Sequence, residues 1–117
     1  MSPLVDPAPL HILFSQLGGD RAVCNRFVND FIALWQARTQ RLRAALATAD
    51  VDEADVVLLS ICASSNMLGA VRLERTAFAV HSALKNNDLS GCALQLPGLS
   101  EVGNDTCLAL SQHIARG

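Results

Sequence analysis

The chain has 117 residues, half of them hydrophobic, which is enough to bury one core and suits a single domain spanning 1–117. Its nine basic and eleven acidic residues are scattered, leaving a formal net charge of −2 and no basic footprint for nucleic acid. Aromatic residues make up only 4% and Tyr is absent, so an aliphatic, helix-rich core is expected in place of a strand-rich sandwich.

Cys24, Cys62, Cys92 and Cys107 show neither Cys-x-x-Cys spacing nor a short secreted framework, so reduced thiols and a cytoplasmic location are expected. Met-Ser-Pro-Leu-Val-Asp-Pro at the start has no positive region followed by a long apolar one. No later run approaches about 18 uninterrupted apolar residues, so neither secretion nor membrane spanning is indicated.

The first helix signal begins at Asp6-Pro7, continues through Leu10, Leu13, Phe14 and Leu17 at helical spacing, and ends at Gly18-Gly19. Asp20 is placed to cap a long second helix with an apolar stripe of Phe27, Phe31, Leu34, Leu42, Ala45 and Ala49. A third helix, from about Val51 to Leu68, carries Val57, Leu58, Ile61, Ser65 and Leu68 on one side and meets a natural terminator in Gly69. The fourth follows at once, striped by Leu73, Ala77, Val80 and Leu84, and the polar run Lys85-Asn86-Asn87-Asp88 closes it. Pro97-Gly98 then punctuates a weaker stretch before a last helix with Leu99, Cys107, Leu110 and Ile114 on one side. Short connections between single-striped helices predict an all-α fold, an antiparallel four-helix bundle with an additional short N-terminal helix.

The stretch from Leu58 to Ala70, Leu-Leu-Ser-Ile-Cys-Ala-Ser-Ser-Asn-Met-Leu-Gly-Ala, resembles the signature helix of histidine phosphotransfer (HPt) domains, Ala-His-x-Leu-Lys-Gly-Ser-Ser-x-x-Leu-Gly-Ala. Ile61 takes the place of the buried Leu, Ser64-Ser65 that of the small pair, and Leu68-Gly69-Ala70 that of the helix end and turn. The resemblance extends to the short helix before Gly18-Gly19, the Arg41-Leu42-Arg43-Ala44-Ala45-Leu46 run and Asp50, so it covers nearly the whole chain.

The departures fall on the chemistry. Alignment on Leu68-Gly69-Ala70 puts Leu59 at the family's phosphorylated histidine, Cys62 at its lysine and Ala63 at its glycine. Phosphate acceptance needs a nucleophilic ring nitrogen that titrates near working pH, which an isobutyl group lacks. In the family the lysine neutralises phosphoryl charge and the glycine leaves room beside the ring. A neutral thiol and a methyl group do neither.

Helical spacing lines up Asp55, Leu59, Cys62, Ala63 and Asn66 along one face, opposite the apolar stripe, where the family docks its partner. The resemblance therefore implies a degenerate, pseudo-phosphotransfer member with no catalytic residue of its own. It would bind a response-regulator receiver domain or a hybrid histidine kinase through that face.

His81-Ser82-Ala83-Leu84-Lys85 mimics the His-x-Leu-Lys start of the signature, but neither Gly-Ser-Ser nor Leu-Gly-Ala comes after it. Counting from Gly69 puts Leu59 about 15 Å down one helix and His81 about 18 Å down its neighbour, so a relocated acceptor at His81 is the alternative function. The ordinary reading of His81 is a solvated surface histidine. A structural module that forms a homodimer through the Leu59 face is a third reading. No His pair at metal-binding spacing exists, and no cofactor is implied. An enzyme is not indicated, since the chain offers no Ser-His-Asp order, no phosphate-cradling glycine loop and only three glutamates. Trp35 is expected in or near the core.

Overall fold

The computed structural model describes residues 19–116, and within them four helices: α1 (Arg21–Ala47), α2 (Val51–Leu68), α3 (Val71–Lys85) and α4 (Leu89–Arg116). Each helix packs on its neighbour in sequence and α1 packs on α4, so the four close a ring around one core, as an antiparallel bundle requires. The expected N-terminal helix, with its apolar residues from Leu10 to Leu17, lies outside the described residues. Among them no helix is long and apolar enough to cross a membrane, and no group of three His, Cys, Asp or Glu residues is placed to hold a metal.

The helix ends are set by local chemistry. Asp20 accepts from the Val23 amide at 3.2 Å and Asp50 from the Glu53 amide at 3.1 Å, each satisfying a donor that the first turn leaves unpaired. Asp88 does the same for Gly91 at the start of α4, at 2.8 Å. Gly69 ends α2 at φ 73°, a left-handed conformation that costs a side chain energy and glycine nothing. The Ala70 amide then bonds the Ser65 carbonyl at 2.8 Å, and the fully buried Ala70 starts α3 with no polar cap. This tight turn sets α2 and α3 side by side.

Two expectations are corrected. The inward line of α1 is Cys24, Val28, Phe31, Trp35, Leu42 and Ala45, whereas Phe27 and Leu34 remain 43% and 48% exposed. Ala49 lies beyond the helix, at φ 55°. The reason is Trp35. Its indole fits against Gly103 of α4, where a Cβ would overlap the ring, and its N–H donates to Asn104 Oδ1 at 3.1 Å. Phe31 stacks on it at 6.1 Å between centroids, and seating this pair rotates α1 so that Val28 faces inward in place of Phe27.

The second correction is in α4, which runs unbroken for 28 residues through Pro97. Proline in a helix interior removes one hydrogen bond, here to the Ala93 carbonyl, and costs about 3 kcal/mol. Pro97 and Gly98 both face solvent, so the ring meets no packed neighbour. On the inner side Cys92, Leu99, Thr106 and Leu110 recur every four to seven residues and are buried. Burying one leucine contributes about 1.5–3 kcal/mol, so Leu99 and Leu110 together outweigh the proline and hold the helix in one piece.

Candidate functional site

The residues singled out on the third predicted helix lie on α2, along its flank toward α3. Leu59 is 49% exposed, Ala63 and Asn66 are exposed, and Cys62 is half-buried. Leu58, Ile61, Ser65 and Leu68 face the opposite way, into the core. The Oγ of Ser65 is fully buried and has no hydrogen-bond partner among the described residues, at a point where α2 meets its neighbours and only a small side chain is present. Position 59 is thus held on a rigid, two-sided helix, with its side chain directed outward by the burial of Leu58 and Ile61 on either side of the stripe.

Asp55, one turn before Leu59, is the charged centre of the seam. Its Oδ1 receives His81 Nε2 at 2.7 Å and Lys85 Nζ at 3.1 Å, both from α3. Lys85 first and His81 second hold the Asp55 carboxyl below the usual carboxylate range. The His81 side chain is only 15% exposed, which corrects the expectation of a solvated histidine. It also lies level with Asp55, and so one turn away from Leu59. Lys85, read from sequence only as part of a helix-ending polar run, spans the seam.

Sequence reasoning missed Phe78. It is 63% exposed on α3, next in the chain to the buried Ala77. From the Asp55–His81 contact, Leu59 lies about 6 Å along α2 and Phe78 about 4.5 Å along α3 in the same direction, since the helices are antiparallel. The two large apolar side chains therefore share a level on the outer side of the seam. The available signal was a large apolar residue just off the buried stripe, which is common on surfaces and becomes informative only when a second one stands opposite.

Cys62 lies one turn beyond Leu59. Burial and then the Glu74 carboxylate push its thiol up, so at neutral pH the position is uncharged. The four cysteines are free thiols, Cys24 and Cys92 buried and Cys62 and Cys107 half-buried. Burial pushes the Cys107 thiol up to about 11. The site is therefore two exposed apolar side chains at one level, Leu59 and Phe78, next to a compact hydrogen-bonded cluster of His81, Asp55 and Lys85. Such a surface can bind a complementary apolar face but offers no atom at position 59 to accept a group in transfer.

No family model matches the chain and no curated protein matches it in sequence. Among solved structures, the fold is similar to that of histidine-containing phosphotransfer protein B (HptB) from Pseudomonas aeruginosa PAO1, with a TM-score of 0.86 and 17% identity over 100% of this chain and 99% of that one.

Proposed function

We propose that this chain is an HPt-like protein of two-component phosphorelay signalling that binds receiver domains, free or within hybrid histidine kinases, without accepting phosphate. The observation that carries the reading is the exposed Leu59 at the place the signature reserves for histidine, on a fold similar to that of a phosphotransfer protein. The Leu59–Phe78 pair, flanked by Ala63 and Asn66, supplies the apolar contact, and the Asp55 cluster supplies polar groups at its edge. Such a protein would act as an antagonist or scaffold, occupying receivers that a working phosphotransfer protein would otherwise discharge.

His81 as a relocated acceptor is the competing reading, and its surroundings argue against it. Nε2 is engaged by a carboxylate at 2.7 Å, and a phosphoryl group arriving there would meet the Asp55 negative charge.

The test pairs a binding titration against a panel of receiver domains with phosphotransfer from the phosphorylated receivers. Binding without acid-labile phosphate on the chain is expected. Leu59→Arg should weaken binding by about tenfold or more, as loss of a central apolar anchor does. Phosphate on the wild-type chain that disappears in His81→Ala would overturn the proposal in favour of the relocated acceptor, and failure of every receiver to bind would reject docking.

A further inference from the structure

On the flank of α2 away from α3, an open groove of about 270 Å³ runs between α1 and α2. Phe27 and Leu34 of α1 and Met67 of α2 line it, and each remains 43–48% exposed. Arg38 lies at one end, its guanidinium 5.9 Å from the Phe31 ring centroid and 3.4 Å from Ser64 Oγ. Asp30 lies toward the other end, about one turn from Phe27, exposed, and makes no ion pair among the described residues.

The charges are placed symmetrically. Asp30 and Arg38 stand four residues on either side of Leu34, which puts all three on one face of α1. When a second α1 is laid antiparallel on the first about a two-fold axis at Leu34, each Asp30 falls opposite the Arg38 of the other copy. The two Leu34 side chains meet at the axis, and Phe27 falls opposite the aliphatic stem of Arg41. No two like charges of this face are brought together. A patch that is complementary to itself under a two-fold rotation is what a closed dimer requires.

We infer that the α1–α2 groove is the docking site of a second copy of this chain, paired antiparallel through α1 about Leu34, with reciprocal Asp30–Arg38 ion pairs. The axis lies on the flank of α2 away from α3, so the Leu59–Phe78 face of each copy stays open. This inference does not depend on receiver docking.

Sedimentation of the full chain over a concentration series, with circular dichroism to confirm helix content, tests it. The wild type is expected to reach the mass of two chains. Leu34→Arg should sediment as one chain at the same concentrations. Asp30→Arg and Arg38→Asp should each raise the dissociation constant by about tenfold, and the double swap should recover most of that loss. Leu59→Arg should leave the dimer unchanged, which separates this contact from a dimer through the α2–α3 seam. A wild type that stays monomeric throughout, or a dimer indifferent to Leu34→Arg but dissociated by Leu59→Arg, overturns the inference. A monomer whose receiver binding is lost in Leu34→Arg overturns it too, assigning the groove to a receiver.

Discussion

Asp55 receives a lysine and a histidine on one oxygen, and both come from the helix across the seam. Because its folded-state pKa is lowered, its contribution to stability is complete above the ordinary value of 3.8 and is lost as pH falls through the lower folded value. Comparing urea unfolding of the wild type with Asp55→Asn should therefore show a constant difference from pH 5 down to about 4, then a decline below that. A difference that disappears well above pH 4 would mean that Asp55 is held by neither Lys85 nor His81. The same residue explains why His81, open to solvent in a sequence reading, is largely covered: a 2.7 Å hydrogen bond to a carboxylate on the neighbouring helix draws the ring in. Leu59 has no such partner among the described residues and stays outside.

At the scale of the helix, Pro97 and Gly103 of α4 are both poor helix formers, and their substitution should have opposite effects. Pro97 faces solvent, so Pro97→Ala restores the missing backbone bond without disturbing packing and should raise stability by about 1–3 kcal/mol. Gly103 faces the Trp35 indole, so Gly103→Ala adds a methyl where the ring sits and should lower stability by about 1–3 kcal/mol despite the better helix propensity of alanine. Denaturant midpoints of the two variants measure both. Should Gly103→Ala prove stabilising, the close approach of α1 and α4 at the indole would be wrong. Trp35 itself was legible as a core residue, but its consequence for α1 was not. Cys24, Val28, Phe31 and Trp35 satisfy a helical period, and so do Phe27, Phe31 and Leu34; Phe31 is common to both lines, and the notch at Gly103 that seats Trp35 selects the first.

For the whole molecule, the ring of four helices fixes where position 59 points, independently of which side chain stands there. On the proposed reading, replacing three side chains on one face should give the chain phosphate-accepting chemistry. In Leu59→His with Cys62→Lys and Ala63→Gly, the imidazole would be exposed and the lysine could extend from its half-buried position to water. Acid-labile phosphate on this variant after incubation with a phosphorylated receiver is the expected result, against none on the wild type. Incorporation that survives when position 59 is returned to Leu would place the acceptor elsewhere.

The amino-acid sequence by itself determined the number and type of the described helices and most of their ends. Those depend on groups within one turn of each other: Asp20 and Asp50 before amides, Gly69 in a left-handed turn, and aliphatic residues every three or four positions. It also singled out Leu59 as a candidate position, through the order of small and apolar residues around it. Only the tertiary structure decided which α1 residues face inward, that α4 passes through Pro97 without a break, that His81 and Lys85 close on Asp55, and that Phe78 comes level with Leu59. Each of these is settled by an atom on another helix, far along the chain, and burial energy from such distant partners exceeds the local preference that a single segment expresses.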